Sequence, residues 1–207
     1  MEITWLGNST FLLKTNLSKK ILIDPFNILK TYPNKISADI LTYSKNINSN
    51  FQNENYNKTK ILSCGDNFNT SSLKINSYKT FSDSINGMKR GENFIYTFEI
   101  EGLKLCHLGY LGEMPNIEIL KNISSFDFLF VPIGGNICLN GSEAFNLVSI
   151  LKPKYIIPMC YRCSNSDFFF NDPLEFLSKY KNIFRLNSNT LLTNNIPNSS
   201  GILLFDK

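Results

Sequence analysis

The chain carries one histidine, His107, among 207 residues. As a general base its imidazole would need an orienting partner and a substrate within hydrogen-bond reach. As a metal ligand it would need further nitrogen, oxygen or sulfur donors converging at about 2.0–2.2 Å, with a position left open for water. The soft donors available are Cys64, Cys106, Cys138, Cys160 and Cys163. Cys160 and Cys163 have the C-x-x-C spacing, but a zinc site wants a second pair, and none is present. A redox pair wants a helix start just after the first cysteine and a lowered thiol pKa. Ile157-Pro158-Met159 instead puts Cys160 at the end of a strand. The plainer reading takes the thiols as small core side chains and His107 as a satisfied core residue.

The elements that must position these groups change character along the chain. Short apolar or alternating runs, 3–6, 11–14, 21–23, 40–43, 60–63, 73–75, 78–81, 93–100 and 103–108, read as strands. Pro25, which lacks an amide donor, closes the third of them, and Glu101-Gly102 is a two-residue hairpin connection. The polar stretch 44–58 reads as a loop. Beyond residue 110 the period shifts: helices are expected over 117–123, over 142–151 with Ser142 as N-cap, and over 173–180 with Asp172 as N-cap and Pro173 in the first turn. Buried strands at 128–132 and 155–158 lie between them, and 183–185, 190–192 and 202–205 close the chain. Hairpins followed by strand-helix-strand units describe a mixed α/β protein, and 1–207 reads as one domain.

Composition narrows the classes of function. A formal charge of +4 comes with only pairs such as Lys19-Lys20 and Lys89-Arg90 and no basic run, which makes a nucleic-acid partner unlikely. The longest apolar runs are strand-sized, far short of the roughly 20 residues of a membrane span, and no secretory signal is visible at the start. Five cysteines without framework spacing suit a reduced compartment, so a cytoplasmic location is expected. Phe168-Phe169-Phe170, in a polar segment, reads as a flap on the core or a patch for a partner.

Six strings in order carry more information: Trp5-Leu6-Gly7-Asn8-Ser9, Ile21-Leu22-Ile23-Asp24-Pro25-Phe26, Lys89-Arg90-Gly91-Glu92-Asn93, Cys106-His107-Leu108-Gly109-Tyr110-Leu111-Gly112, Val131-Pro132-Ile133-Gly134-Gly135 and Ile157-Pro158-Met159-Cys160-Tyr161. In register, from residue 3 to about 180, they resemble the metallo-β-lactamase-fold hydrolase superfamily, and within it the compact branch of ascorbate-phosphate-lactonase-like proteins and metal-dependent hydrolases. The resemblance implies a four-layer αβ/βα sandwich with its site along one edge of the two sheets. It also locates the family's ligands, which this chain has replaced. The His-x-His-x-Asp-His string falls on Lys45, Ile47, Ser49 and Asn50; a strand-borne His on Ser82; the bridging Asp on Tyr110; the last His on Cys160; and a site-lining His on Asn8. Asp83 and His107 are retained neighbours.

The resulting expectation is a pseudo-hydrolase with no metal and no cofactor, acting as a binding or interaction protein. Its partner is unknown; pairing with itself or with an active relative fits. The alternative is metal-independent hydrolysis of a small ester, lactone or phosphate through Cys160, Lys45, Tyr110 or His107. Lys45 is expected to stand roughly where the cation stood, neutralised by Asp83 or Glu113, and with Ile47 and Tyr110 to plug the old site.

Overall fold

The computed structural model describes residues 1–25, 36–46, 59–63, 65–163 and 169–206. In chain order the strands are β1 (Glu2–Gly7), β2 (Thr10–Lys14), β3 (Lys20–Ile23), β4 (Ile40–Thr42), β5 (Lys60–Leu62), β6 (Phe68–Asn69), β7 (Leu73–Phe81), β8 (Glu92–Ile100), β9 (Leu103–His107), β10 (Phe128–Pro132), β11 (Tyr155–Met159), β12 (Ile183–Arg185), β13 (Thr190–Leu192) and β14 (Gly201–Leu204). The described helices are α1 (Ile117–Asn122), α2 (Gly141–Leu151) and α3 (Leu174–Leu177). One sheet runs β13-β1-β2-β3-β4-β5 and the other β12-β14-β11-β10-β9-β8-β7-β6.

Each sheet begins with antiparallel hairpins and turns parallel where strands alternate with longer connections. β1, β2 and β3 pair antiparallel, then β4 and β5 parallel. In the second sheet β7, β8 and β9 are antiparallel and β10, β11, β14 and β12 parallel. The β8–β9 hairpin closes on Glu101 and Gly102, both left-handed at φ 52° and 77°, the geometry a two-residue turn needs to match strand twist. β10 and β11 are buried along their whole length, as central parallel strands covered on both faces should be.

The main core lies between the sheets. Phe11 of β2 meets Phe130 of β10 edge to face, ring centres 4.6 Å apart. A smaller cluster of Leu22, Leu41 and Tyr43 occupies the other face of the first sheet. Among the described residues no helix is long and apolar enough to cross a membrane.

The structure departs from the sequence reading in four places. The runs 73–75 and 78–81 are one nine-residue strand, because Asn76 and Ser77 pair with Thr97 and Tyr96 without a break. The two-residue edge strand β6 had no sequence signal. α2 is capped by Asn140 rather than Ser142: the Asn140 side chain accepts from Glu143 N, and Glu143 accepts from Asn140 N, a reciprocal capping box. The expected helix over 173–180 narrows to α3, since Lys179 N and Tyr180 N bond back to Phe176 O and Leu177 O, three residues rather than four. Nor is Asp172 its N-cap: Pro173 holds that position without a side-chain cap bond and Leu174 opens the helix, while Asp172 Oδ1 accepts from Leu174 N at 2.8 Å.

Candidate functional site

The C-terminal ends of β3, β4, β7, β9, β10 and β11 open along one edge of the sandwich, joined by the β1–β2 turn. Hydrogen bonds stitch the sheets together there. Phe94 N donates to Ser44 O at 2.7 Å and Cys160 N to Asn8 O at 3.4 Å. This edge brings together Asn8, Lys45, Ser82, Asp83, His107, Tyr110 and Cys160. Ile47, Ser49, Asn50, Cys64 and Phe168 lie outside the described residues. Asn8, Asp24 and Cys160 all adopt left-handed backbone, at φ 49°, 49° and 53°. Such conformations cost on the order of 1–3 kcal/mol each away from glycine and cluster at functional sites.

His107 is wholly buried, edged by Phe11 and Phe130. Its Nε2 lies 2.9 Å from Ser9 O, and Gly109 N donates to its Nδ1 at 3.2 Å. The second bond makes Nδ1 an acceptor, so Nε2 carries the proton and the ring is neutral. Burial depresses its pKa to about 4, against the pull of the Ser9 bond. With both nitrogens committed to backbone, His107 fastens the β1–β2 turn to the second sheet and has no lone pair left for a metal or a substrate proton.

Asp83 is also spoken for. Its two oxygens accept from the backbone N–H groups of Ile85, Gly87, Lys89 and Arg90, at 2.7–3.1 Å. Burial works to raise its pKa, but the four donors outweigh it and hold the carboxyl below its ordinary value. Asp83 therefore folds the loop that presents Lys89 and Arg90.

That use of Asp83 corrects the expected neutralisation of Lys45. No described carboxylate comes within 4 Å of Lys45 Nζ, neither Asp83 nor Glu113. The ammonium instead donates to Arg90 O at 3.2 Å and lies 5.4 Å over the Tyr110 ring. Desolvation, then the Arg90 charge, lowers its pKa, while Asp24 and Asp83 pull it back up from longer range. Lys45 and Tyr110 thus pack together at this edge, Tyr110 anchored by its backbone N–H on Asn93 Oδ1 at 2.7 Å.

Cys160 is wholly buried, and burial drives its thiol pKa well above the ordinary value. Cys163 of the same C-x-x-C is exposed. Thiolate is the reactive form, so a maleimide or dithiobis reagent should label Cys163 fast and Cys160 only on unfolding. Mass mapping of the native protein checks this; rapid labelling of Cys160 would contradict it. Of the aromatic cluster, Phe169 is 75% exposed and Phe170 buried against Gly134.

Sequence reasoning missed Asp24. Named there only within a family string, it is wholly buried, with Oδ1 accepting from Ser44 N at 2.6 Å and Oδ2 unpartnered. Burial raises its pKa to about 7, in spite of Ser44, Ser9 and Lys45. The hydroxyls of Ser9, Thr42, Ser44 and Ser82 are buried at this edge and close no well-formed hydrogen bond. Ser9 is the hub, within electrostatic reach of Asp24, Tyr110 and Cys160. The signal available in the sequence was an acidic residue directly after a three-residue apolar strand.

A hydrolytic metal centre needs several imidazole or carboxylate donors on one ion. Among the described residues no group of three His, Cys, Asp or Glu is placed to hold a metal. The one imidazole is engaged on both nitrogens, and Asp83 on both oxygens. These donors do not fit a divalent ion.

Comparison with known proteins places the chain. A family model described as a beta-lactamase superfamily domain matches residues 2–160. A protein of Carboxydothermus hydrogenoformans named UPF0173 metal-dependent hydrolase is 26% identical over 196 residues, covering 78% of this chain and 84% of its own length. A second of that name, from Methanosarcina barkeri, is 26% identical over 212 residues, covering 85% and 89%. Among solved structures, a Thermotoga maritima protein described as a candidate zinc-dependent hydrolase of the metallo-beta-lactamase superfamily superimposes with a TM-score of 0.77 at 28% identity, over 99% of this chain and 97% of that one. The metallo hydrolase Igni18 of Ignicoccus hospitalis shares the fold at TM-score 0.63 and 17% identity, over 86% of this chain and 89% of its own.

Proposed function

The chain belongs to the beta-lactamase superfamily domain family, and from that premise we propose that it is a catalytically degenerate member that binds a small ligand or a partner instead of performing metal-dependent hydrolysis. Its relatives are named metal-dependent hydrolases, and a metal at such a site lowers the pKa of bound water to make a nucleophile at neutral pH. The observation that carries the reading is the commitment of the only imidazole: both nitrogens of His107 hold backbone groups. Lys45 and Tyr110 add to it, a cation and a phenol packed together where the resemblance puts metal ligands.

Hydrolysis without metal draws no support from the same groups. The Cys160 thiol is held protonated by burial, and His107 has no free nitrogen to activate it.

Turnover tests the reading. The purified chain, with zinc or manganese supplied, is offered bis(p-nitrophenyl) phosphate, p-nitrophenyl acetate, a simple lactone and a chromogenic β-lactam. The expected result is a rate indistinguishable from buffer with each metal. Saturable turnover that a chelator abolishes would overturn the proposal.

A further inference from the structure

At the site edge, Ser9, Asp24, Thr42 and Ser44 are wholly buried polar side chains. Ser9 lies in the β1–β2 turn, Asp24 directly follows β3, Thr42 ends β4, and Ser44 lies just beyond it. Backbone bonds fix each of them. Ser9 O faces His107 Nε2 at 2.9 Å, and Thr10 Oγ1 donates to Asp24 O at 2.6 Å. Asp24 N donates to Thr42 O at 2.9 Å, and Phe94 N to Ser44 O at 2.7 Å. Ser44 N donates in turn to Asp24 Oδ1. The Ser44 hydroxyl has its place because residue 109 is a glycine, left-handed at φ +62°; a Cβ there would lie 2.5 Å from Ser44 Oγ.

The backbone is thus paired, and the side-chain oxygens are left over. Asp24 Oδ2 and the hydroxyls of Ser9, Thr42 and Ser44 have no hydrogen-bond partner. The Ser44 and Ser9 hydroxyls stand close enough to Asp24 to favour its charged form, yet neither is aligned to bond it. Native interiors rarely leave such atoms unmatched, and a cluster of them marks a place for a polar or charged guest. The charge of Asp24 is unmatched as well. Lys45 acts on it from a distance, but the Lys45 ammonium forms no ion pair within 4 Å and turns to Arg90 O and the Tyr110 ring. An ionised carboxylate buried without a partner is costly.

Asp24 is the only carboxylate of the four, and the hydroxyls are neutral, so one unit of positive charge balances the set. A divalent ion would leave a surplus beside Lys45. It would also lack its donors, since no group of three His, Cys, Asp or Glu is gathered for a metal among the described residues. Oxygen ligands suit hard cations. We propose that Asp24 Oδ2 and the hydroxyls of Ser9, Thr42 and Ser44 form an internal site for one alkali cation, sodium or potassium, which fastens the β1–β2 turn to the ends of β3 and β4. None of the four is a position where the resemblance puts a metal ligand. A bound alkali ion leaves the expected zinc, manganese and iron content unchanged, so this site and the loss of metal-dependent hydrolysis stand or fall by different measurements.

The test is thermal unfolding of the full chain at pH 8, above the Asp24 pKa that burial raises to about 7, with sodium, potassium or choline chloride exchanged at constant ionic strength. The midpoint should rise saturably with sodium or potassium over its value in choline. The expected rise is about 3–6 °C once the ion exceeds its dissociation constant tenfold. The ion effective at the lower concentration is the one the site is built for. Asp24→Asn keeps an acceptor for Ser44 N, so it should still melt cooperatively, and it should lose the ion dependence. Ser9→Ala and Ser44→Ala should each weaken the apparent affinity about fivefold or more by removing one oxygen. Lys45→Gln should tighten it, because the ammonium no longer repels the ion. Equal midpoints in the three salts, a rise that survives in Asp24→Asn, or an affinity unmoved by both serine variants overturns the inference.

Discussion

Asp24→Asn should make the protein several kcal/mol more stable at pH 8 while leaving it nearly unchanged near pH 4. The folded pKa of Asp24 is raised from 3.8 to about 7, chiefly by burial. Between those values the native state holds a proton that the unfolded chain releases, so stability falls as pH rises. At about 1.4 kcal/mol per pH unit, the whole window amounts to about 4 kcal/mol at its upper end. His107 runs the other way. Its folded pKa is depressed from 6.5 to about 4, the unfolded chain binds the extra proton, and stability is lost as pH falls through that window. In the natural chain the two slopes oppose each other between about pH 4 and 6.5 and largely cancel. Asn at position 24 can still accept from Ser44 N and tolerates left-handed backbone, but it removes the titration. Urea unfolding at pH 4.5, 5.5, 6.5 and 8 should therefore show the variant's stability climbing with pH where the natural protein's is flat. Parallel profiles would contradict the burial of an ionisable Asp24.

The largest purely structural loss should come from Phe11→Ala. Phe11 is wholly buried and reaches across the sandwich to Phe130, His107 and Phe205, at ring distances of 4.6, 6.0 and 6.2 Å. Deleting the ring leaves a cavity between two sheets that are hydrogen-bonded to each other at the site edge and cannot collapse into it. About 3–5 kcal/mol of stability should go, read as a lower urea midpoint with an unchanged slope. Phe169→Ala, at an exposed position, should change the midpoint by no more than about 0.5 kcal/mol. Equal effects of the two would mean that Phe11 does not join the sheets.

Much of the architecture was legible because hydrophobic period and turn chemistry are local. The strands 128–132, 183–185 and 190–192 were readable to the residue, and the Glu101-Gly102 hairpin from two residues. Errors arose where pairing partners decided the outcome. Asn76 and Ser77 look like a break until β8 is laid beside them. Asn140 and Glu143 spell a capping box, but asparagine is so common in this chain that one more carried little weight. Of the site, register with the family strings gave only an expectation of where ligands would stand. The protonation state of Asp24, the backbone duties of Asp83 and the double engagement of His107 depend on which groups meet across the two sheets, and no spacing along the chain encodes that.

The most direct measurement of the central claim is the metal content of the full chain, purified without chelators from cells grown with added zinc, manganese and iron, by elemental mass spectrometry. A chain whose only imidazole holds backbone on both nitrogens should carry each metal far below one ion per molecule. One firmly held divalent ion per chain, displaced only by strong chelators, would contradict it.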